Sequence, residues 1–395
     1  MTGLHVYVHV PFCRYRCPYC AFYNVRPEAG RETAFLDGVA REVERWRAQA
    51  TFEGASLATL YWGGGTPSRL SPAGFQRLAD ACLEIAEPVA AMEWTVEVNP
   101  SDVGGELYAA YRERGVSRIS VGSQSFDSRR LRFLGRDHGG GRARDAVVAA
   151  AEAGFADVSL DLMFNLAVEG RREAWGSDLE AALDLPIDHL SLYGLTLERG
   201  TPFGRRSEAG ERLTLGEAAY GAEYLRACRA ARQSGFEHYE VSSFARPGHC
   251  SRHNQSYWTG EPYLGLGPAA HSFDGARRWA NVASLEDWCR ALETGADPRE
   301  FVEELGPAER ELEALYLGLR TARGVSEDHP LIAAPAARPV VAGLVGRRML
   351  RREGGRLACT ERGFLILDAI LESLVGRGTD RWSGRLTFDR VRGGE

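Results

Sequence analysis

Along the first two hundred residues, short apolar stretches that read as strands alternate with longer stretches in which apolar residues recur at helical spacing. Leu4 to Val10, Leu57 to Trp62, Glu93 to Val98, Arg118 to Val121, Val158 to Phe164 and His189 to Tyr193 are predicted strands. Arg31 to Ala50 and Ser71 to Ala86 are predicted helices, and further helices fall between the later strands. This order predicts an α/β fold with a parallel sheet covered by helices, whose sites lie at the carboxyl ends of the strands. The C-terminal quarter reads differently. From about Pro298 a smaller unit is expected: a helix over Ala308 to Leu319 with Leu312, Leu315, Tyr316 and Leu319 on one face, and a second helix over Val340 to Leu350. A Glu353-Gly354-Gly355 turn and an amphipathic helix from the capping residue Thr360 to Val375 complete it.

Composition narrows the class. The chain has 395 residues, 44% of them apolar, enough for a large domain and an appendage. No stretch approaches the roughly 18 apolar residues of a membrane span, and the start lacks the basic flank and apolar core of a signal peptide. Eight cysteines, irregularly placed after the first three, fit a reducing cytoplasm better than a disulfide framework. A soluble cytoplasmic protein is expected, with contact at a membrane surface left open. The net charge of −6 and the pI near 5.9 carry no footprint of general nucleic-acid binding.

The candidate chemistry gathers at the predicted strand ends. After the first strand, Cys13, Cys17 and Cys20 have the spacing C-x3-C-x2-C, which suits three-point ligation of a [4Fe-4S] cluster with one iron left open for a substrate or cofactor. A zinc half-site or three buried thiols are the duller readings, and no second pair at zinc spacing lies nearby. Gly63-Gly64-Gly65-Thr66-Pro67 follows the second strand; such a run lets backbone N–H and C=O groups approach an amino or carboxylate group, and equally suits a tight turn. Glu97, near the end of the third strand, can accept from a ribose or an ammonium. Gln124, Arg136 and Asp161 suit hydroxyl, carboxylate and ribose contacts.

In order, Tyr7, the cysteine loop with Tyr19, Tyr61-Trp62-Gly63-Gly64-Gly65-Thr66-Pro67-Ser68, Glu97-Val98-Asn99-Pro100, Ser120-Val121-Gly122-Ser123-Gln124-Ser125-Phe126 with Arg136, and Ser159-Leu160-Asp161-Leu162 make a specific set. With Tyr193-Gly194-Leu195-Thr196 and Gly200-Thr201-Pro202-Phe203, the set resembles the oxygen-independent coproporphyrinogen III oxidase family and its radical-SAM heme-chaperone branch, from about Leu4 to the C-terminal region. The resemblance implies an open, partial (β/α)6 radical-SAM barrel over residues 1–297 and a small winged-helix-like domain over 298–395. It implies that Cys13, Cys17 and Cys20 ligate the cluster. It also implies that Tyr7, Tyr19, Gly64, Gly65, Thr66, Glu97, Gln124, Arg136 and Asp161 line S-adenosylmethionine (SAM).

Within the family, the oxidases carry a fourth cysteine two residues after the third and an N-terminal extension; here that position is Phe22, and twelve residues precede Cys13. His253-Asn254-Gln255-Ser256-Tyr257-Trp258 matches the H-N-x-x-Y-W sequence associated with heme in the chaperone branch, so His253, Asn254, Tyr257 and Trp258 are the expected heme contacts. Taken alone, a loop His beside a Trp merely packs. The chaperone branch implies heme as a third ligand, heme-accepting apo-proteins as partners and a flavodoxin- or ferredoxin-like electron donor, with homodimerisation left open. Relatives usually follow the fifth strand with Gly-Leu-Pro, whereas this chain has Asn165-Leu166-Ala167, which alters the allowed backbone of that loop. Arg347, Arg348, Arg351, Arg352 and Arg356 cluster in the C-terminal unit; a solvated or packing face is the preferred reading over nucleic acid.

Overall fold

The computed structural model describes residues 3–169 and 173–376. Six parallel strands come first: β1 (Gly3–Val10), β2 (Ser56–Gly64), β3 (Pro88–Val98), β4 (Arg118–Gln124), β5 (Asp157–Phe164) and β6 (His189–Gly194). Short strands β7 (Glu237–Glu240) and β8 (Ser243–Ala245) extend the sheet antiparallel beyond β6. At the other side β9 (Tyr263–Leu266) lies parallel to β1, followed outward by β10 (His271–Phe273), β11 (Arg277–Asn281) and β12 (Arg299–Glu304). The resulting order among the described residues, β12-β11-β10-β9-β1-β2-β3-β4-β5-β6-β8-β7, is an open sheet of twelve strands.

The pleat sorts residues to two faces. Leu4, Val6, Val8 and Val10 of β1, Trp62 of β2, Trp94 and Val96 of β3, and Val158, Leu160 and Leu162 of β5 are buried in the main apolar core. Aromatic rings build much of that core: Trp62 and Trp94 meet edge to face at 5.3 Å, and Phe75 lies 4.5 Å from Tyr111. The alternate positions are polar. Glu97, Ser120, Ser159 and His189 are register partners across β3 to β6, and Thr59 is paired with Glu93.

Opposite charges meet at the bottom of this face. Arg118, with its side chain 3% exposed, lies 3.5 Å from Glu93 and 3.2 Å from Asp157, and donates to the His249 carbonyl at 2.9 Å. Glu93 also accepts the backbone N–H groups of Arg252 and His253, each at 3.0 Å, and so anchors the start of the helix Arg252–Thr259.

The C-terminal unit joins helices to a three-stranded antiparallel sheet of β13 (Val325–Ser326), β14 (Leu350–Glu353) and β15 (Arg356–Cys359), in the order β13-β15-β14. Three expectations change here. The boundary drawn at Pro298 precedes β12, which still pairs with β11 and whose Glu303 holds Arg278 at 2.7 Å, so the large sheet runs to Glu304 and the appendage's own elements start with the helix Pro307–Leu319. The helix expected to reach Leu350 ends at Gly346, because Arg348 takes a left-handed φ of 59° and Leu350 opens β14. Thr360 does cap a helix, accepting from the Gly363 N–H at 3.1 Å, but Ile366 leaves helical backbone (φ −128°, ψ 27°) and splits the segment into Glu361–Phe364 and Leu367–Val375. The arginines of this unit mostly bond within it: Arg351 to the Ala322 carbonyl, Arg356 to those of Arg323 and Gly324, and Arg352 to Glu327. The part of the unit assigned to residues 377–395 lies outside the described residues.

Arg118 gives the fold a sharp test. Arg118→Met removes the guanidinium shared by buried Glu93 and partly buried Asp157, and should lower unfolding free energy by about 3 kcal/mol in denaturant titration.

Candidate functional site

The loop after β1 is held open by backbone before any metal is considered. The Cys13 N–H donates to the Val25 carbonyl at 3.0 Å and the Val25 N–H returns to Pro11 at 2.8 Å, while the Cys20 N–H closes a turn onto Cys17 at 3.1 Å. These bonds make a small omega-shaped loop from which Cys13, Cys17 and Cys20 all line one cavity, each with a free thiol. Arg136 directs Nη1 at the Cys17 sulfur at 3.8 Å and donates from Nη2 to the Gly122 carbonyl at 2.7 Å; Thr66 Oγ1 lies 3.5 Å from the Cys13 sulfur. Burial raises the thiol pKa of Cys13 and pushes that of Cys20 up to about 11, and each is raised further by Cys17 beside it. Three crowded thiols with a guanidinium beside one of them suit a cationic metal centre, whose binding would expel their protons.

The glycine run after β2 has a specific cause at each position. A Cβ on Gly63 would sit 2.9 Å from the Glu97 carboxylate, one on Gly64 2.4 Å from the His9 ring, and one on Gly65 2.6 Å from the Val10 carbonyl. Gly64 also has a φ of 95°. The run therefore packs β2 against β1 and Glu97, and its backbone lines the cavity as a result.

Behind it, two carboxyl groups face the same space. Glu97 Oε1 accepts from the Tyr61 hydroxyl at 2.7 Å, and Asp161 is held by Ser120 Oγ at 3.3 Å. Burial pushes Glu97 up to about 7 and Asp161 up to about 6, and Asp161 raises Glu97 further. Near neutrality the pair shares a negative charge that a cationic or hydroxyl-rich ligand would stabilise.

The cavity encloses about 1500 Å³ and is lined by Tyr19, Gly64, Gly65, Thr66, Glu97, Gln124, Arg136 and Asp161 together with the cysteines. Tyr7 is the expected contact that does not line it. Its hydroxyl bonds His9 Nδ1 at 3.2 Å in the layer below, and its ring lies 6.2 Å from that of Tyr61. Asn165 compensates for the family Gly: it takes the left-handed conformation (φ 64°) that Asn tolerates best among side-chain residues, and its Oδ1 accepts from the Leu215 N–H at 3.1 Å. The strand-to-helix loop thus keeps its turn without Gly or Pro.

The H-N-x-x-Y-W segment departs from expectation. It is the helix Arg252–Thr259 and not a loop, and His253 is 1% exposed. Both its ring nitrogens are engaged, Nδ1 with Thr59 Oγ1 at 2.7 Å and Nε2 with the Tyr257 hydroxyl at 2.9 Å, and its ring stacks on Tyr61 at 5.0 Å. Burial lowers its pKa to about 3. In this arrangement His253 offers no free lone pair to iron, and none of His253, Asn254, Tyr257 and Trp258 lines the large cavity. The Asn254 N–H is spent on the helix cap at Ser251, and Tyr257 packs edge-on against Tyr263 at 4.7 Å. Sequence reading missed the cavity's far wall, formed by Tyr193, Tyr220, Arg320 and the stretch Phe364 to Ala369. Tyr61 was legible within its motif, as the inward alternate of buried Trp62.

The buried Glu97 makes the pH dependence of stability predictable. Its pKa stands above the ordinary 4.5, so the folded state binds more protons than the unfolded state between about 4.5 and 7, and stability falls as pH rises through that window. Glu97→Gln, which keeps the acceptor for Tyr61, should be about 1–3 kcal/mol more stable than wild type above pH 8 and nearly unchanged at pH 4.5. Thermal unfolding of the ligand-free protein against pH reads this directly.

Residues 7–176 match the family model described as the Radical SAM superfamily. The chain is 34% identical over 381 residues to "Heme chaperone HemW" of Mycobacterium tuberculosis, covering 94% of each protein. It is 32% identical over 389 residues to "Radical S-adenosyl methionine domain-containing protein 1, mitochondrial" of Danio rerio, covering 94% of this chain and 86% of that one. In fold it is similar to coproporphyrinogen III oxidase (HemN) from Escherichia coli, with a TM-score of 0.79 over 94% of this chain and 90% of the other at 21% identity. An open parallel sheet, three cysteines at its carboxyl rim and near-full-length identity above 30% give one answer: the chain belongs to the radical-SAM family of the heme chaperone HemW.

Proposed function

We propose that this protein is a radical-SAM heme chaperone, which binds a [4Fe-4S] cluster and SAM at the rim of the sheet and passes heme to apo-proteins. The observation that carries the reading is the opening of three thiols and two pKa-raised carboxyls into one cavity. Cys13, Cys17 and Cys20 would hold three irons and leave the fourth for the amino and carboxylate groups of SAM. A bound cluster supplies the electron for reductive cleavage of the SAM sulfonium. This chain's residues would do the rest: Glu97 and Asp161 would accept from the amino N–H and ribose hydroxyl groups, Gln124 and Thr66 would contact polar groups, and Arg136 would offset the charge of the thiolates. The reductant would be a small electron-transfer protein of the flavodoxin or ferredoxin kind, and the setting a reducing cytoplasm. Among the described residues no helix is long and apolar enough to cross a membrane.

The second reading, oxidative decarboxylation of coproporphyrinogen III, shares this fold. Phe22, 57% exposed at the place of the oxidases' fourth cysteine, favours the chaperone.

Cys17→Ser should lose most of its iron, sulfide and brown absorbance after anaerobic reconstitution, and retention of a full four-iron cluster would remove the assignment. Asp161→Ala should reconstitute normally yet bind SAM more weakly by about 1–3 kcal/mol in equilibrium titration. With SAM and a reductant, the wild-type protein should leave coproporphyrinogen III unconverted by chromatographic assay; robust turnover would promote the oxidase reading.

A further inference from the structure

Away from the large cavity, a second group of metal-ligating side chains gathers where the appendage meets the sheet. Cys228 of the helix Glu217–Gln233, His238 of β7 and Glu361 of the helix Glu361–Phe364 bring a sulfur, a ring nitrogen and a carboxylate oxygen within 4.8 Å of one another. None of the three lines the cavity that holds Cys13, Cys17 and Cys20. Three separate elements supply them, so the grouping is a product of the fold and not of spacing along one helix.

Each side chain arrives for a local reason. Cys228 lies on the buried face of its helix with Tyr224, Ala227 and Ala231, and is 1% exposed. His238 stacks at 4.2 Å on Phe244, its register partner across β7 and β8, and the Phe364 ring closes on it at 5.1 Å. That packing fixes the plane of the imidazole. The Tyr224 hydroxyl stands 3.4 Å from His238 Nε2, but it donates its proton to the Val241 carbonyl at 2.8 Å, so it brings no donor to that nitrogen. Backbone at Val241 and Glu240 hydrogen-bonds the ring, as the outer partner of a ligating imidazole commonly does. Burial lowers the pKa of His238 to about 4, which keeps the imidazole in the neutral form that ligates a metal. Glu361 comes from the appendage: Thr360 caps its helix, Glu361 opens the first turn, and its carboxylate pairs with Arg232. The Arg232 side chain is 64% exposed and free to turn out to water.

A thiolate, an imidazole and a carboxylate in one set suit a borderline divalent ion such as zinc, with water in the fourth position. Zinc bonds of about 2.0–2.3 Å set tetrahedral donors roughly 3.5 Å apart, so closing this group asks for side-chain movements of about an ångström. The Cys228 thiol gives its proton to solvent as the metal binds.

We propose that Cys228, His238 and Glu361 form a zinc site that clamps the appendage to the sheet. Two of its ligands belong to the large unit and the third to the appendage, so the ion ties across the boundary between them. Arg232 is the competing cation, and it is released to solvent when Glu361 turns to the metal. The site is separate from the cluster and from heme transfer, and it stands whether or not the chaperone reading holds.

The test uses the full-length, cluster-loaded protein, washed with chelator under anaerobic conditions and dialysed against buffered zinc. Zinc and iron are counted together by mass spectrometry. The wild-type protein should take up one zinc per chain with its iron count unchanged, and amide hydrogen exchange over residues 361–364 should slow when zinc is bound. Glu361→Gln, at a partly exposed position that leaves the Thr360 cap in place, should weaken zinc about tenfold or more, as should Cys228→Ser. Arg232→Gln should tighten zinc several-fold, because it removes the competing cation. Thermal unfolding of each variant in chelator checks that the fold is kept. No zinc beyond the iron, or wild-type zinc affinity in Glu361→Gln, would overturn the site. Zinc that enters only as iron is lost would belong to Cys13, Cys17 and Cys20 and would overturn it equally. Uptake that leaves exchange over 361–364 unchanged would remove the clamp.

Discussion

The inner face of the sheet is polar because β1 to β6 alternate, and the fold depends on how those inward polar groups are satisfied. At the bottom, Arg118 stands between Glu93 and Asp157, and Glu93 also receives the first N–H groups of the helix Arg252–Thr259. Charge is compensated there, and the interior closes. At the carboxyl rim the balance changes. Glu97 is held by the Tyr61 hydroxyl and the Gly64 backbone, and Asp161 by the Ser191 and Ser120 hydroxyls, which stabilise a carboxylate less than a contacting guanidinium does. Both therefore titrate above their ordinary values, and the energetic cost of their burial is what a cationic ligand would relieve. The contrast between the two ends explains why chemistry concentrates at the rim.

Much of this was legible in the sequence, for identifiable reasons. The strands of the parallel sheet were read within three residues of their observed ends, except that β3 begins five residues earlier at Pro88, since each carries an apolar row that a buried face imposes. The rim residues were legible because they follow strands in order. Interruptions inside a periodic pattern were not: Ile366 and Arg348 break helices through backbone angles that apolar spacing does not encode. Nor was Asn165 legible as a substitute for Gly, since its role rests on a left-handed φ and on a bond to Leu215 fifty residues away. The far wall of the cavity joins β6 to residues 364–369 of the appendage, a proximity that no local pattern carries.

The helix Arg252–Thr259 shows how a short motif can mislead about exposure. Taken alone the segment reads as a packing loop, and only the family resemblance makes it a ligand set. In the fold, Ser251 caps the segment, Glu93 anchors it and His253 is drawn into the interior. The burial is consistent with neutral imidazole, because both of its neighbours are hydroxyls that can adapt as donor or acceptor.

The direction of that buried chain can be worked out from its one charged end. Glu261, 52% exposed, accepts from His5 Nε2 at 2.9 Å, so in the neutral tautomer His5 carries its proton there and its Nδ1 accepts. Thr59 then donates its hydroxyl proton to His5 Nδ1 at 2.9 Å, which leaves its oxygen to accept from His253 Nδ1–H at 2.7 Å. With Nδ1 protonated, a neutral His253 presents Nε2 as an acceptor, and the Tyr257 hydroxyl fills it at 2.9 Å. Every proton in the run points toward Glu261. The chain ties β1, β2 and the helix Arg252–Thr259 into one unit directly under Tyr61, whose ring rests on His253 and whose hydroxyl fixes Glu97. A motif residue remote from the cavity thereby supports the orientation of a carboxylate inside it, and the support is lost if the imidazole is drawn out to bind iron.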